Sequence, residues 1–451
     1  METPTIPMPK DERERQILDK LMAIRDSLLL LKRDRTKYIR TQDVMLLYDK
    51  LVEQVKQLNE VRKGEHKGEN RLDKVLESCF QLISLFFMTI GRTTEVPAAY
   101  ALTSTIKRLL DHLTEASLFS PKDLTSISNT LGRLEGILNN ADAHHSPYLV
   151  ELLANREALC KSMLCNLRKQ LDQLDEPLQA IYERLISIMR SMSLANTKSK
   201  FSMTEVQKFQ SKLKDIDETM VGGKFVGPDG AELRGSEVVS DLLSRCLQWS
   251  DIVLKRKGII PEPFMDKYSI LISIRNDLEK LSITQAWSLR ETDLYDFQRQ
   301  LDRIDEARMD GNWLDADGRP AELYVQRTLL YLIRRSYGYI YYLMNSSEPV
   351  SEALLPVYNQ LQTLKRCLIE VKNSGGVGSV RELYPYSMKL NSIDNMRVDG
   401  KFMVGNDIPE GQGNVTELLA ECFDINYELR VAAEELEEAE KVAPTPQPIV
   451  S

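Results

Sequence analysis

Residues 202–225 have the sequence SMTEVQKFQSKLKDIDETMVGGKF, which joins a helix to the turn that follows it. After the acid Glu205 come apolar residues with the spacing i, i+3, i+7 and i+10: Val206, Phe209, Leu213 and Ile216. That spacing places four apolar side chains on one face of a helix. Ser202, three residues before the acid, is typical of a helix N-cap, and Ser120 and Ser379 have the same spacing to Asp123 and Glu382. The acid then lies in the first turn, where the helix dipole favours it.

The same stripe recurs at intervals of about 80–89 residues, so the chain contains five copies of one unit. The acids that open the five stripes are Asp43, Asp123, Glu205, Asp293 and Glu382. A second marker keeps a similar period, a proline ahead of each stripe: Pro9, Pro97, Pro177, Pro263 and Pro349. Because proline suits the first turn of a helix and disrupts a helix elsewhere, we interpret each proline as the start of its unit's first helix.

Each unit is predicted to contain three helices, A, B and C, so the predicted fold class is all-α. In unit three the helices are predicted at residues 177–193, 203–219 and 236–255. Five such units indicate either an α-solenoid-like array or a set of packed bundles. The predicted division of the chain is a flexible tail over residues 1–12, units one and two over 13–175, units three to five over 176–442, and a flexible tail over 443–451.

In units three to five, helices B and C are joined by a common linker. A glycine is followed by a polar residue and then by an aromatic one, as in Lys224-Phe225, Asn312-Trp313 and Lys401-Phe402. We expect an irregular loop or a short hairpin whose aromatic side chain anchors it to the helices. Alternatively, Lys224 and Lys401 hold an anion beside the glycine backbone. The recurrence of the motif in three units favours the structural interpretation, and the six residues remain candidates for contact with a ligand or a partner.

Composition and charge exclude several classes of protein. The net charge of −8 argues against a general nucleic-acid-binding protein, and the short basic clusters Lys255–Lys257 and Arg334–Arg335 are interpreted as solvated helix ends. The most apolar stretch, residues 79–90, is too short to span a bilayer and fits a buried helix. Residues 1–15 contain no apolar signal core, so a cytoplasmic or nuclear protein is expected.

No residue pattern in the chain indicates catalysis, a cofactor or a metal site. P-loop, dinucleotide-binding, HExxH and GxSxG motifs do not occur in the sequence. Cys79, Cys246 and Cys422 occupy one register of helix C in three units, and Tyr331 takes that place in unit four, which is typical of a packing position. The four histidines, His66, His112, His144 and His145, are not interpreted as ligands or catalytic groups.

Two segments of the chain resemble a known family. Each combines a Gly-Lys-Phe linker with a Leu-Leu pair ahead of a cysteine, in residues 221–225 with 240–246 and in residues 398–402 with 417–422. They resemble conserved fungal proteins of unknown function that carry duplicated modules. The resemblance implies a cytosolic or nuclear protein and brings no catalytic residue to carry over.

The function predicted from this architecture is a non-enzymatic scaffold or adaptor that binds other proteins, without nucleic-acid or membrane partners. The alternative is a protein that binds a small anion or a phosphorylated ligand through the Gly-Lys-aromatic linkers. A tyrosine cluster in helix C of unit four is either core packing or a partner surface: Tyr331, Tyr337, Tyr339, Tyr341 and Tyr342. Thr3 and Thr445, each followed by proline, are predicted phosphorylation sites.

Overall fold

A computed structural model describes residues 6–62, 69–141, 145–228 and 230–442. The terminal residues 1–5 and 443–451, with Thr3 and Thr445, lie outside the described residues, as do His66 and His144. The described residues form fifteen α-helices, three in each of five units. In units one and two these are α1 Glu12–Arg33, α2 Thr41–Arg62, α3 Arg71–Thr89, α4 Ala99–Ala116, α5 Pro121–Asn139 and α6 Pro147–Asp172.

The remaining nine helices of the described chain belong to units three to five. Unit three has α7 Glu176–Asn196, α8 Met203–Asp217 and α9 Ser236–Arg256. Unit four has α10 Glu262–Ser288, α11 Leu294–Glu306 and α12 Leu323–Asn345. Unit five has α13 Leu355–Asn373, α14 Tyr384–Asp394 and α15 Gln412–Val442, together with the two-residue strands β1 Arg397–Val398 and β2 Lys401–Phe402. Short 3₁₀ turns precede α4, α11 and α14. The all-α prediction is therefore confirmed.

The helix ends agree with the sequence signals in most units. The side chain of Ser120 accepts a hydrogen bond from the backbone of Asp123, whose carboxylate bonds back to the Ser120 N–H. The side chain of Ser202 caps α8 by accepting a hydrogen bond from the N–H of Glu205, at 3.3 Å. Ser379 makes no capping hydrogen bond, because a 3₁₀ turn rather than an α-helix begins there.

The predicted role of the prolines holds in two units, where Pro177 and Pro263 lie in the first turn of α7 and α10. In the other three units the first α-helix begins after the proline: Pro9 precedes α1, Pro97 lies in the 3₁₀ turn before α4, and Pro349 precedes α13, which begins only at Leu355.

Three equivalent cysteines show that the units are built alike. Cys79, Cys246 and Cys422 are fully buried on the third helix of their units. Each thiol faces a carbonyl oxygen on the first helix of its own unit, at 3.5–3.8 Å: Leu21, Leu185 and Leu361. Burial raises the pKa of the three thiols to about 12, 12 and 11. These cysteines are packing residues, as predicted, and a thiol with so high a pKa is a poor nucleophile.

The units do not follow one another in a simple row. Helix α12 of unit four packs against α4 of unit two and against α7 and α9 of unit three, while α3 of unit one contacts α4 and α11. A solenoid unit contacts only its chain neighbours. The structure is therefore a set of packed bundles. One continuous apolar core extends from Ile17 to Met344, and a second extends from Val350 to Ala433 in unit five. The predicted division of the chain at residue 175, between units one and two and units three to five, is based on the B–C linkers. It stays a prediction.

Unit five is joined to the rest of the molecule by polar contacts, by close backbone packing and by contact of α13 with α10 of unit four. The guanidinium of Arg290 binds both carboxylate oxygens of Glu352, at 2.6 and 3.0 Å. Arg92 binds Glu410 at 2.7 Å. Gly91 has φ +86°, and a Cβ at this position would lie 2.6 Å from the backbone nitrogen of Ser351. The close approach of these two segments therefore requires glycine.

The apolar stretch of helix α3 is buried, as predicted. From Ser78 to Thr89 every side chain except Gln81 is buried in the shared core. Within the part of the chain that the structure describes, no helix has both the length and the apolar character needed to cross a membrane.

Candidate anion-binding cavity

The three aromatic residues of the B–C linkers are structural anchors. Each follows a tight two-residue turn in which both central residues have positive φ, at Gly222-Gly223, Asp310-Gly311 and Asp399-Gly400. Turns of this kind match the twist of short hairpins. The aromatic side chains beyond them are buried: Phe225, Trp313 and Phe402. The hairpin prediction is confirmed, and the aromatic residues pack against the helices of their own units.

The polar residues beside these aromatics do not converge on one site. Lys224 is exposed and binds Glu232 of its own hairpin at 2.6 Å. Lys401 is exposed on unit five, and Asn312 is half-buried on unit four. The linkers of units four and five also face different neighbours. Tyr38 of unit one donates to Val404 and Asp407, just after the unit-five hairpin, whereas Gly311 of unit four lies near Glu115 of unit two.

The exposed positions of Lys224 and Lys401 lead us to expect that neither side chain is needed for stability or for anion binding. Replacing Lys224 and Lys401 together by alanine is expected to leave stability and anion binding unchanged, because both side chains are in solvent, where an ion pair contributes little. Chemical unfolding and phosphate titration of the double variant check this. A loss of phosphate binding would favour the Gly-Lys-aromatic linkers as anion sites.

A different site lies where units two, three and four meet. Its walls are α4 and α5 of unit two, α7 and α9 of unit three and α12 of unit four. It has two adjoining parts, which share Leu118, Met189, Ser193 and Arg334. The apolar cavity, of about 330 Å³, is lined by Leu109, Leu113, Ile127, Met189, Tyr331 and Tyr341 among others. The arginine cavity, of about 220 Å³, is lined by His112, Glu115, Arg245, Trp249, Arg327 and Arg334 among others.

Two buried donors of the arginine cavity have no acceptor among the described residues: Nη1 of Arg327 and Nε1 of Trp249. The Arg327 guanidinium lies 5.7 Å from the centre of the Trp249 ring. Burial lowers the pKa of Arg327, and the nearby charge of Arg245 lowers it further. An unsatisfied buried donor costs about 1–3 kcal/mol. Two such donors at one cavity are available to an acceptor that enters it.

Arg334 is the second desolvated cation of the site. It lies deep in the molecule, yet its side chain is half-exposed because it borders both cavities. Its Nε donates to the carbonyl of Leu330 in its own helix, at 3.2 Å. Burial lowers the pKa of Arg334 to about 10. The interpretation of Arg334 as part of a solvated helix end is therefore wrong, since it lies in the middle of α12 and faces inward.

The other charges nearby leave the site positive. Arg245, the third guanidinium of the arginine cavity, donates to the carbonyl of Ala116 at 2.7 Å. The one acid that lines this cavity among the described residues, Glu115, is bound to Arg308 at 2.6 Å. Arg190, at the edge of the apolar cavity, is bound to Asp123 at 2.6 Å. Arg245, Arg327 and Arg334 thus repel one another, and an anion between them relieves that repulsion.

His112 adds a polar wall to the same cavity. Its Nε2 lies 3.3 Å from the carboxylate of Asp305, and both side chains are buried at the interface of units two and four. Asp305 also binds Arg308 at 2.9 Å. His145 lies 3.9 Å from Glu95 and takes no part in the site.

The tyrosine cluster mostly packs within the molecule. Tyr337 is buried and donates to Asp302 at 2.7 Å, and the hydroxyl of Tyr341 lies 2.7 Å from that of Thr130. Tyr339 donates to Glu279 at 3.0 Å. Tyr331 is half-buried in the wall of the apolar cavity, and Tyr342 is exposed. Four of the five tyrosines thus contact other parts of this chain.

The sequence of α12 contains a pattern that indicates this site, although the pattern is not a short catalytic or binding motif. Residues 327, 330, 334, 338 and 341 lie on one face of α12, because each is three or four residues after the one before it. Two of them are arginine and one is glycine, on a face that is otherwise apolar or aromatic. Arginine on such a half-buried face indicates a charge that needs a partner. The partner residues on α4, α7 and α9 are far away in the sequence.

The fold and this site define an all-α protein of packed three-helix units with a cationic cavity between them. A family model described as a protein of unknown function (DUF2408) matches the chain twice, at residues 171–291 and 349–450. A CUB1 family protein of Schizosaccharomyces pombe is 38% identical over 437 residues, covering 95% of this chain and 94% of that protein. The chain therefore belongs to the CUB1 family, which confirms the resemblance to fungal proteins with duplicated modules.

A second relative supports the same assignment. The Saccharomyces cerevisiae protein named Cu(2+) suppressing and bleomycin sensitive protein 1 is 34% identical over 511 residues, covering 95% of this chain and 91% of that protein. No solved structure matches the chain significantly.

Proposed function

We propose that this chain is a non-enzymatic binding protein whose arginine cavity captures a compact anion, most naturally a phosphoryl group. The observation that carries the proposal is the pair of desolvated guanidinium groups, Arg327 and Arg334, in one cavity with unsatisfied donors. Guanidinium donors match phosphate oxygens in geometry and charge. The small-anion alternative from the sequence thus moves from the linkers to the interface of units two, three and four.

The binding test uses the full chain and matched anions. Pyrophosphate, inorganic phosphate and sulfate are added at constant ionic strength, with chloride as reference, and the unfolding temperature and binding heat are measured. A ligand that binds only the folded state stabilises it by about 2.7 kcal/mol at a concentration of 100 Kd. We expect phosphate and pyrophosphate to raise the unfolding temperature. No difference from chloride would count decisively against the site.

A second prediction separates a binding role of Arg334 from a structural one. Since the folded-state pKa of Arg334 lies below the unfolded value, its charge destabilises the folded protein at every pH below about 10, and this cost declines only above that pH. Arg334→Met is therefore expected to raise the free energy of unfolding without ligand by about 1–2 kcal/mol and to abolish stabilisation by phosphate. Urea unfolding with and without phosphate measures both effects.

The matched control is the neighbouring residue. Arg335 is exposed, lines the apolar cavity but not the arginine cavity, and stacks on Tyr339 with its guanidinium carbon 4.5 Å from the ring centre. Arg335→Met is expected to keep phosphate binding. Equal losses in both variants would indicate a general electrostatic effect of the surface instead of a built site.

A role as an adaptor for other proteins is the second candidate. It is favoured by exposed apolar side chains on unit five, since Tyr384, Met388 and Val398 are each more than half exposed. Exposed aromatic residues and methionines are enriched at protein interfaces. Affinity purification of the chain and of a Tyr384→Ser/Met388→Ser variant tests this, because a specific partner should be lost with the variant.

The relatives' names do not enter this proposal. The name of the S. cerevisiae protein refers to Cu²⁺ and bleomycin. Among the described residues, no group of three or more His, Cys, Asp or Glu side chains is arranged to hold a metal ion. The six free cysteines, four of them buried, support a reducing compartment, so we place the protein in the cytosol or nucleus as part of the proposal.

A further inference from the structure

From the pairing of the two cavities, we infer that the ligand is a small organic phosphate whose phosphoryl group binds in the arginine cavity and whose apolar body lies in the apolar cavity. This inference rests on the proposed anion-binding function. It adds the chemical class of the ligand, which an arginine cluster alone does not define.

The two cavities differ in chemistry and adjoin at Arg334, which lines both of them. The apolar cavity is walled by leucines of α4, Ile127 of α5 and Met189 of α7. Of its two rim arginines, Arg190 is neutralised by Asp123, and Arg335 is exposed and donates to the hydroxyl of Tyr339 at 2.9 Å. A phosphoryl group placed there finds few free donors, whereas a hydrocarbon or aromatic body finds apolar walls. The arginine cavity has the opposite character, with two unsatisfied donors and three guanidinium groups.

Size also favours a small molecule. A volume of about 330 Å³ lies at the lower end of the range for small-ligand sites, which are mostly apolar with a few placed polar groups. Inorganic phosphate fits the arginine cavity but leaves the apolar walls without a partner. An organic ester removes those walls from water and gains affinity from the apolar area buried.

A substitution at Gly338 can test the apolar cavity separately from the arginine cavity. It lies on the cavity face of α12, and a Cβ built on it meets no atom within 4 Å. Gly338→Leu is therefore expected to fill the apolar cavity without displacing the backbone. Ser126→Phe, at an exposed position of α5 that lines the same cavity, is a second way to block it and covers the case in which Gly338→Leu does not fold.

The experiment compares methyl phosphate with phenyl phosphate by calorimetry on the full chain, because the two esters carry similar charge and differ in the apolar body. Phenyl phosphate is expected to bind about tenfold to a hundredfold more tightly. Gly338→Leu or Ser126→Phe should remove that advantage while methyl phosphate binding is kept, and Arg327→Met should remove binding of both esters.

The outcomes distinguish the two proposals. If the two esters bind with equal affinity, the inference that the ligand has an apolar body is overturned, and the proposed anion site is unaffected. If neither ester binds, and phosphate and pyrophosphate do not bind either, the proposed anion site itself is overturned. Tighter binding of a phosphoserine peptide than of phenyl phosphate overturns the assignment to a small molecule, since the peptide backbone would then be the recognised body.

Discussion

Replacing Glu352 by alanine is expected to lower the free energy of unfolding by about 3–5 kcal/mol, the cost of leaving a buried charge without its partner. The side chains of Arg290 and Glu352 are only 9% and 11% exposed. Arg290 also donates to the carbonyls of Asp34 and Lys37, and Glu352 accepts from the backbone N–H of Ile39. One carboxylate of unit five thus holds together loops of units one and four.

The loss should be localised as well as large. Because the apolar core of unit five is separate, breaking this contact should free unit five from the rest of the molecule before the main core unfolds. Hydrogen exchange is expected to show increased opening in the backbone near residues 34–39 and 350–354, and urea unfolding should show an earlier or a split transition.

The control for this prediction is an exposed ion pair of the same unit. Lys365 and Glu421 lie 2.6 Å apart with side chains 29% and 47% exposed. Glu421→Ala should change stability by less than about 1 kcal/mol. If Glu352→Ala costs no more than this control, the Arg290–Glu352 pair does not attach unit five.

Trp313→Ala is expected to cost about 3–5 kcal/mol, as for other fully buried large aromatic residues. Trp313 is 0% exposed, and its Nε1 donates to the carbonyl of Ile304 at 2.9 Å. It therefore fixes the end of α11 to the hairpin and, through the hairpin, to the start of α12. Circular dichroism during chemical unfolding measures the loss without relying on tryptophan fluorescence.

The chain itself provides the matched comparison for this site. Units three and five have Phe225 and Phe402 in the equivalent place. Trp313→Phe keeps most of the buried volume but loses the hydrogen bond, so about 1–2 kcal/mol is expected. Asn312→Ala, on the half-buried neighbour, should have a small effect. An equal loss for the alanine and phenylalanine variants would mean that the hydrogen bond, and not the buried volume, dominates.

Much of the fold could be predicted because its signals are local. The stripe Val206 to Ile216 predicts α8, and the predicted start at residue 203 agrees with the structure. The Asp-Gly and Gly-Gly pairs predict hairpins because their positive φ values are a property of two adjacent residues. Ser379 shows the limit of such signals, since its cap pattern is present but the backbone forms a 3₁₀ turn.

The candidate site could not be predicted in the same way. Arg334 and Arg335 are adjacent and chemically identical in sequence, yet Arg334 is half-buried between both cavities, whereas Arg335 is exposed and lines only the apolar cavity. The difference depends on which face of α12 meets units two and three, and this is set by packing between residues far apart in the chain. The Gly-Lys-aromatic linkers are easy to recognise in the sequence because they repeat. Repetition, however, is typical of structural elements.

By itself, the sequence determined the all-α class, the five-fold repeat, the cysteine packing positions and the aromatic anchors of the hairpins. Those properties depend on periodicity and turn chemistry within about 20 residues of chain. The tertiary structure alone decided that unit four packs against units one, two and three, that unit five has its own core, and that Arg245, Arg327 and Arg334 meet. Burial and charge proximity are properties of three-dimensional neighbours, which a local pattern does not specify.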